Sequence, residues 1–559
     1  MSPVDQDAVV EFLTLALSGT GVVDTATTHI SRLLLAGDRV FKLKRAVRLP
    51  YLDFSTPERR FAACEAEVAL NRRTAPDLYL GARRITREPD GALAFEGTGP
   101  LVDAVVEMRR FPEADLFDAM ARDGRLGPGH VADLAQVIAT FHAGAEIHRD
   151  RGGAAAFAAL IAMNEAALRA AGLAPPGEAE TLSARFRAVL ARHADRLDAR
   201  RAAGKVRRCH GDLTLRNICL FAGRPTPFDG IEFSETIATI DVLYDLAFIL
   251  MDLWHRERPD LANGLLNRYL DAADETDGIG LLPFLMALRA VIRAHVTAAQ
   301  AADATGGVAA ARASEARAYL ALAESLLTDE PVLLLAVGGF SGSGKSTVAA
   351  AAAPWIGAPP GARILSSDRI RKRLHGVDAL ARLPASAYAP AASHRVYAVL
   401  RIDAARVLAA GHCAVADAVF DRPAEREEIE AVARDTGAGF RGVWLEAPTA
   451  TLASRVARRV GDPSDATTAV LAAQVARGCG ALSWHRLRTD RPPDVLRSTV
   501  LSLLGTVGVP QRSEARPPEA RTEAPTEARP DVPARSGEEE RARASVDARQ
   551  GAAGSGRPP

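Results

Sequence analysis

The sequence predicts a multidomain chain of α/β and α+β type. A first domain opens on a strand hairpin and continues mainly in helices, a second is a doubly wound parallel sheet, and a tail without a core follows. Three observations carry this. The loop Gly339-Phe340-Ser341-Gly342-Ser343-Gly344-Lys345-Ser346 lies between the apolar run Val332 to Val337 and the alanine-rich segment Thr347 to Ala353, the strand, glycine loop and helix order of a P-loop. A polar stretch, His210 to Asn217, precedes a short apolar hairpin that ends at Asp229-Gly230. The 559 residues exceed what one hydrophobic core organises, and beyond Gln511 the composition turns to Pro, Arg, Glu and Ala.

Composition narrows the function classes. Lys+Arg 69 balance Asp+Glu 69, so overall charge does not argue for nucleic acid or a membrane surface as partner. Cys64, Cys209, Cys219, Cys413 and Cys479 are scattered and form no Cys-x-x-Cys pair, which suggests neither a disulfide framework nor a zinc site. Met1 to Val10 carries acids rather than a signal-peptide core, and the apolar runs read as too short to span a bilayer. A cytoplasmic protein is the expectation.

Taken in order, Val9 to Leu17 reads as an amphipathic helix, and Ile30 to Leu35 with Arg39 to Lys44 as two strands joined by Ala36-Gly37-Asp38. The strand period puts Lys42 and Lys44 on one face and Phe41 and Leu43 on the other; a solvated edge is the simpler reading of the lysines alone. Pro57 to Arg73 is helical and carries Glu65 and Glu67, and a Lys–Glu pair across such a contact is the usual way to fix a phosphate-binding lysine. Helices follow over His130 to Ala145, Ala154 to Ala171 and Glu178 to Ala202, with a break at Pro175-Pro176-Gly177; His142 reads as a packed structural histidine.

His210-Gly211-Asp212-Leu213-Thr214-Leu215-Arg216-Asn217, strand Ile218 to Phe221, a turn and Thr226 to Asp229 have the spacing that phosphoryl transfer needs. An aspartate beside the acceptor hydroxyl orients it and takes its proton, while an asparagine five residues on and an aspartate across the hairpin hold metal ions. Asp212 is the candidate base, and Asn217 and Asp229 are the candidate Mg²⁺ ligands. Asp241 and Asp245 read as braces of this loop.

On these motifs, roughly the first three hundred residues resemble the aminoglycoside phosphotransferase family, whose bilobal fold is similar to that of protein kinases. The resemblance implies Lys42 as the phosphate-positioning lysine and Glu67 as its partner, with Lys44 and Glu65 as alternatives. The chain departs from the commonest form of the loop at Thr214 and Arg216, and no glycine-rich loop precedes Lys42, where the resemblance implies an ATP-covering segment near Thr27 to Ser31.

Helices Leu261 to Ala272, Leu281 to Ala299 and Val308 to Leu327 complete the first domain, and Thr328-Asp329-Glu330-Pro331 reads as a boundary. In the P-loop, Gly339, Gly342 and Gly344 let backbone approach a phosphate, with Ser343 and Thr347 beside them; Lys345 reaches the β/γ-phosphates and Ser346 ligates Mg²⁺. Strand Arg363 to Leu365 leads to Asp368 at the ligand-binding end of a parallel sheet, followed by the basic run Arg369 to Arg373, for which a solvated helix face is the simpler reading and a hold on an anionic substrate the alternative. Strand Cys413 to Ala416 ends at Asp417, near the metal; Asp421 and Pro423 open a helix that Gly437 stops, and strand Gly442 to Leu445 follows. Arg455 and Arg459, four apart on the next helix, read as one face of a lid.

This order resembles the small P-loop kinases related to gluconate, chloramphenicol and polynucleotide kinases, which implies Asp368 as acceptor base and Arg455 and Arg459 as lid arginines. The whole resembles bifunctional proteins that join an aminoglycoside phosphotransferase-like domain to a P-loop ATP-binding domain. The expected domains are residues 1–328, 329–508 and a disordered tail, 509–559, to which no partner is assigned. The implied function is transfer of a phosphoryl group from ATP to a small-molecule hydroxyl, with Mg²⁺ as cofactor. Two alternatives are a nucleotide-gated regulatory ATPase and a nucleic-acid 5′-kinase in the C-terminal domain; neutral charge and the lack of aromatic stacking motifs count against the latter.

Overall fold

In the computed structural model, residues 3–20, 22–28, 30–49, 52–173 and 177–505 are described. The expected tail, the centre of Thr27 to Ser31, and the pair Pro175-Pro176 lie outside the described residues. Helix α1 (Pro3–Leu17) precedes an antiparallel sheet of β1 (Val23–Thr27), β2 (Ser31–Ala36), β3 (Arg39–Lys44), β4 (Tyr79–Arg87), β5 (Leu93–Phe95) and β6 (Leu101–Arg109). The spatial order is β1-β2-β3-β6-β4-β5. The expected hairpin is the β2–β3 pair, with Leu33 opposite Lys42 and Ser31 opposite Lys44. Helix α2 (Pro57–Asn71) starts where the Thr56 side chain accepts the Arg59 N–H and proline takes the first turn, both ordinary start signals. Its buried positions Arg60, Cys64, Glu67, Val68 and Asn71 recur at helical spacing and face inward.

The second lobe is helical: α3 (Phe117–Arg122), α4 (Pro128–Ala143), α5 (Gly153–Ala171), α6 (Glu178–Ala202), α7 (Val242–His255), α8 (Pro259–Ala272), α9 (Leu282–Ala302) and α10 (Gly306–Leu326). Its centre is α7, buried from Val242 to Leu253, as a helix apolar on every side must be. Between α6 and α7 run the short strands β7 (Val206–Arg208), β8 (Ile218–Phe221), β9 (Arg224–Pro227) and β10 (Thr239–Asp241); β8 pairs with β9 and β7 with β10. One expectation changes here: Gly153–Ala171 and Thr276–Ala302 are long and apolar enough to cross a membrane. Their apolar side chains Phe157, Ile161, Leu168, Leu285, Leu288 and Val291 belong to the core of this lobe instead.

The P-loop domain is a five-stranded parallel sheet of β11 (Leu333–Gly338), β12 (Arg363–Ser366), β13 (Ala414–Asp417), β14 (Gly439–Glu446) and β15 (His485–Arg488), in the order β12-β13-β11-β14-β15. Along β11, Leu334 and Ala336 pack into one core, and Leu335 and Val337 into another on the opposite face. Both faces are therefore covered, as a parallel sheet requires. The helices are α11 (Lys345–Ala352), α12 (Ser367–Leu374), α13 (Pro390–Ala409), α14 (Pro423–Thr436), α15 (Thr449–Ala457), α16 (Thr468–Arg477) and α17 (Pro493–Leu503).

The two domains pack into one body. Helix α8 of the first presents Asn263, Asn267 and Asp271, spaced by four and so on one face, to edge strand β12. Asn263 donates to the carbonyls of Pro360 and Ala362 at 3.0 Å, and the Ile364 N–H donates to Asn267 at 2.7 Å. Arg363 pairs with Asp271 at 2.8 Å. An otherwise open sheet edge is thereby capped by side chains.

Candidate functional site

In the first domain, Lys42 Nζ donates to Glu67 Oε1 at 2.8 Å and to Asp229 Oδ1 at 2.5 Å. Lys44, two residues on and thus on the same face, donates to the other Glu67 oxygen at 2.6 Å and to Glu232. The lysines differ in partner and exposure. Lys42 is 13% exposed and reaches the hairpin aspartate, whereas Lys44 is fully buried. Glu65 is exposed. Burial by itself would lower the Lys42 pKa, but the Asp229 and Glu67 carboxylates hold it well above its ordinary value. Burial would likewise raise Glu67, and the two lysines outweigh it, bringing Glu67 down to about 2.

The loop after β7 carries Asp212 and Asn217. Gly211 has φ +85°, and a Cβ there would meet Ala238 Cβ at 3.1 Å and Ile231 Cδ1 at 3.2 Å, so glycine is required on both counts. Asn217 Nδ2 donates to the Asp212 carbonyl at 2.9 Å and to Asp212 Oδ2 at 2.8 Å, which directs its amide away and leaves its own oxygen for another partner. Asp229 holds φ +60°, and its N–H donates to the Tyr79 hydroxyl at 3.1 Å. The Gly230 N–H donates to Asn71 Oδ1 at 2.8 Å. The His210 ring nitrogen meets the Phe228 carbonyl at 2.9 Å, tying the loop to the hairpin.

The expected bracing by Asp245 has a definite form. It accepts the N–H groups of His210 at 3.2 Å and Gly211 at 2.8 Å, and meets the His142 ring at 3.1 Å, while the other His142 nitrogen meets the Tyr269 hydroxyl at 2.9 Å. Against the effect of burial, the bond and charge of His142 bring Asp245 down to about 2. His142, Cys209 and Asp245 place possible metal-ligating atoms within 4.8 Å of one another, but the His142 nitrogens and Asp245 oxygens are already engaged. Asp241 is bound on both oxygens by Arg200 at 2.8 Å.

In the second domain, α11 begins at Lys345, capped by Gly344 at φ +89°. Gly342 has φ +84°, and a Cβ there would lie 2.6 Å from the Leu452 carbonyl. Ser346 Oγ donates to Asp417 Oδ2 at 2.7 Å. Burial lowers the Lys345 pKa, opposed chiefly by Asp417 and then by Asp368, so the three candidates share one field. Burial raises Asp417. Asp368 lies in the first turn of α12, at the end of β12, and Thr347 in the first turn of α11. Gly339, at φ +144°, packs against Ser343, whose buried hydroxyl has no hydrogen-bond partner among the described residues.

Two expectations change. Helix α15 ends at Ala457, so Arg455 and Arg459 do not share a helix face; Arg459 lies past the end and pairs with Asp462 at 3.5 Å. Arg455 donates to the Thr489 carbonyl at 2.7 Å and approaches the Gly342 carbonyl at 3.5 Å, beside the P-loop. The basic run is also not a solvated face. Arg369 pairs with Asp271, Arg371 donates to the Ala387 carbonyl, Lys372 pairs with Asp465 at 2.5 Å, and Arg373 with Asp403. Sequence reasoning missed Glu232, Tyr79, Asn71, Asp252 and Gln474. Asp252 accepts the Leu215 N–H at 3.0 Å, and Gln474 accepts the Ser341 N–H of the P-loop at 2.9 Å. Only Glu232, three residues beyond Asp229, had a positional signal.

Residues 43–279 match the family model described as phosphotransferase enzyme family, starting one residue after Lys42, and residues 334–478 match the one described as AAA domain. An uncharacterized protein of Mycobacterium tuberculosis is 30% identical over 485 residues, covering 84% of this chain and 93% of its own length. A Mycobacterium bovis protein matches with the same figures. The chain belongs to this two-domain family. The family joins a phosphotransferase-type domain to a P-loop kinase-like domain, so kinase-type chemistry follows for this member in general terms. Among solved structures, a choline/ethanolamine kinase family protein from Mesorhizobium loti is 14% identical over 57% of this chain and 98% of its own, with a TM-score of 0.33. A gluconokinase from Sinorhizobium meliloti is 21% identical over 32% of this chain and 94% of its own, with a TM-score of 0.23.

Proposed function

We propose that the first domain transfers the γ-phosphoryl group of ATP to a hydroxyl of a small molecule, and that the P-loop domain is a second nucleotide site of the same general chemistry. The observation that carries this is Lys42 bridging Glu67 and Asp229, which draws the strand, the helix and the hairpin together around one cation. In the proposed step the acceptor oxygen bonds to the γ-phosphorus as the bond to the β–γ bridging oxygen breaks. The hydroxyl proton passes to Asp212, and ADP and a phosphate monoester leave.

The residues fit Mg²⁺ at both sites. Asn217 and Asp229 offer an amide and a carboxylate oxygen, Ser346 and Asp417 a hydroxyl and a carboxylate oxygen, the hard donors that this ion takes. When bound, the ion would neutralise developing phosphate charge. The Ser343 hydroxyl, without a hydrogen-bond partner among the described residues, and the half-buried Lys345 suit a phosphate in the P-loop.

The test is transfer of labelled γ-phosphate from ATP to metabolites. Asp212→Ala should remove products of the first domain and spare those of the second; unchanged labelling by both Asp212→Ala and Lys345→Ala refutes the reading. A second reading, nucleotide-gated regulation, is favoured by helix α8. Its Tyr269 meets His142 beneath the first site, and its Asn267 and Asp271 hold β12, which leads to Asp368.

A further inference from the structure

Beside the Asp212 loop lies a cavity of about 520 Å³ lined by Asp118, Arg122, Arg216, His255, Arg256 and Glu315. Arg216 belongs to the same turn as Asn217, and Asp252 joins the cavity to the loop: one of its oxygens accepts the Leu215 N–H and the other the Arg256 guanidinium at 3.0 Å. Asp118 and Arg122 come from α3 and Glu315 from α10, and His255 of α7 stacks on Tyr319 of α10 at 3.8 Å between ring centroids.

The charges that line the cavity are arranged unevenly in space. Three guanidinium groups turn to the single carboxylate of Asp118: Arg256 donates to it, Arg122 lies at 3.2 Å and Arg216 at 3.7 Å. Three guanidiniums carry about fifteen N–H donors, and one carboxylate offers about four acceptor positions. Arg256 is further held by Asp252 and is 20% exposed, whereas the side chains of Arg122 and Arg216 are 61% and 53% exposed. These two therefore have donors to spare at the mouth of the cavity, in the planar fork that suits a phosphate or carboxylate. Glu315 adds a second carboxylate, whose acceptor positions suit hydroxyls on the same ligand.

Resting on the phosphotransferase reading of the first domain, we propose that its acceptor is a hydroxylated anion. Its phosphate or carboxylate group lies between Arg122 and Arg216, and its reacting hydroxyl faces Asp212. A polycationic amino sugar would instead meet two exposed guanidiniums there.

The test uses the full chain with both nucleotide sites saturated by a non-hydrolysable ATP analogue and Mg²⁺. Inorganic phosphate, malonate and the amino sugar kanamycin are titrated in separate calorimetric arms. Phosphate or malonate should bind, and the arm that binds distinguishes a phosphate-bearing from a carboxylate-bearing acceptor. Arg122→Ala/Arg216→Ala, with circular dichroism and melting temperature checked against wild type, should weaken that binding at least tenfold, and kanamycin should not bind. Anion binding that is equal in the double variant, binding of kanamycin alone, or no anion binding would each overturn the inference. Label transfer is measured in parallel with Lys345→Ala to isolate the first domain. Anion binding lost in the double variant, without label transfer to any metabolite, would support the anion site and overturn the catalytic reading. Label transfer to a cationic or neutral acceptor, unaffected by the double variant, would do the reverse.

Discussion

Lys42 and Lys44 share one carboxylate, yet the structure gives them opposite consequences when removed. In Lys44→Met, Glu232 loses the lysine it holds and Glu67 keeps only Lys42; both carboxylates are buried, and Lys44 itself is 0% exposed. Breaking a buried pair by removing one partner costs about 3–5 kcal/mol, a shift of a hundredfold or more in the folded-to-unfolded ratio. In Lys42→Met, Glu67 keeps Lys44, and Asp229 is 43% exposed and can be hydrated, so the cost falls to about 1 kcal/mol. Lys42 is the one facing the hairpin aspartate, so its loss should strike nucleotide use instead. In a Lys345→Ala background, urea unfolding should show the large loss only for Lys44→Met. ATP titration of label transfer should show a KM raised at least tenfold for Lys42→Met, with near-normal unfolding. The reverse pattern, a stable Lys44→Met protein without activity beside an active Lys42→Met, would refute this assignment.

Three further outcomes follow from the same geometry. Glu67 moves from 4.5 in the unfolded chain to about 2 in the fold, so the stability it adds is present above pH 4.5 and lost as pH falls toward 2. That share is about 3 kcal/mol, and urea midpoints of wild type and Glu67→Gln across this window should differ in slope accordingly. Asp271→Ala leaves Arg363, 5% exposed, without its carboxylate, and should destabilise the domain contact by about 3–5 kcal/mol, read as an earlier calorimetric transition. Asp417→Ala removes the partner of Ser346 and should lower transfer by the P-loop domain at least a hundredfold while leaving transfer lost in Asp212→Ala unaffected.

Local patterns were legible in the sequence, and long-range pairings were not. The P-loop, the Asp212 to Asp229 hairpin and the helix Glu178–Ala202 are written in contiguous residues whose period or spacing has few alternative meanings. Strands β4 to β6 escaped because their place in the sheet is set at long range: β6 pairs with β3 across about sixty residues or more, from Leu43 opposite Val105 to Arg39 opposite Arg109, and β4 joins the sheet only through β6. The run Arg369 to Arg373 looked solvated because its partners, Asp271, Asp403 and Asp465, lie at least thirty residues away. Lys42 and Lys44 are equivalent by period, and only Asp229 and Glu232, nearly two hundred residues on, distinguish them. The helix of Arg455 stops two residues before Arg459, at Ala457, and Gly461 and Pro463 follow without a marked cap in the sequence.

The most direct measurement is transfer of γ-labelled phosphate from ATP into a metabolite extract by wild type, Asp212→Ala and Lys345→Ala. The phosphotransferase account predicts labelled small molecules with wild type and loss of a distinct set with Asp212→Ala. Labelling of no acceptor by the wild type, despite ATP binding at both sites, would contradict it and leave nucleotide-gated regulation as the better account.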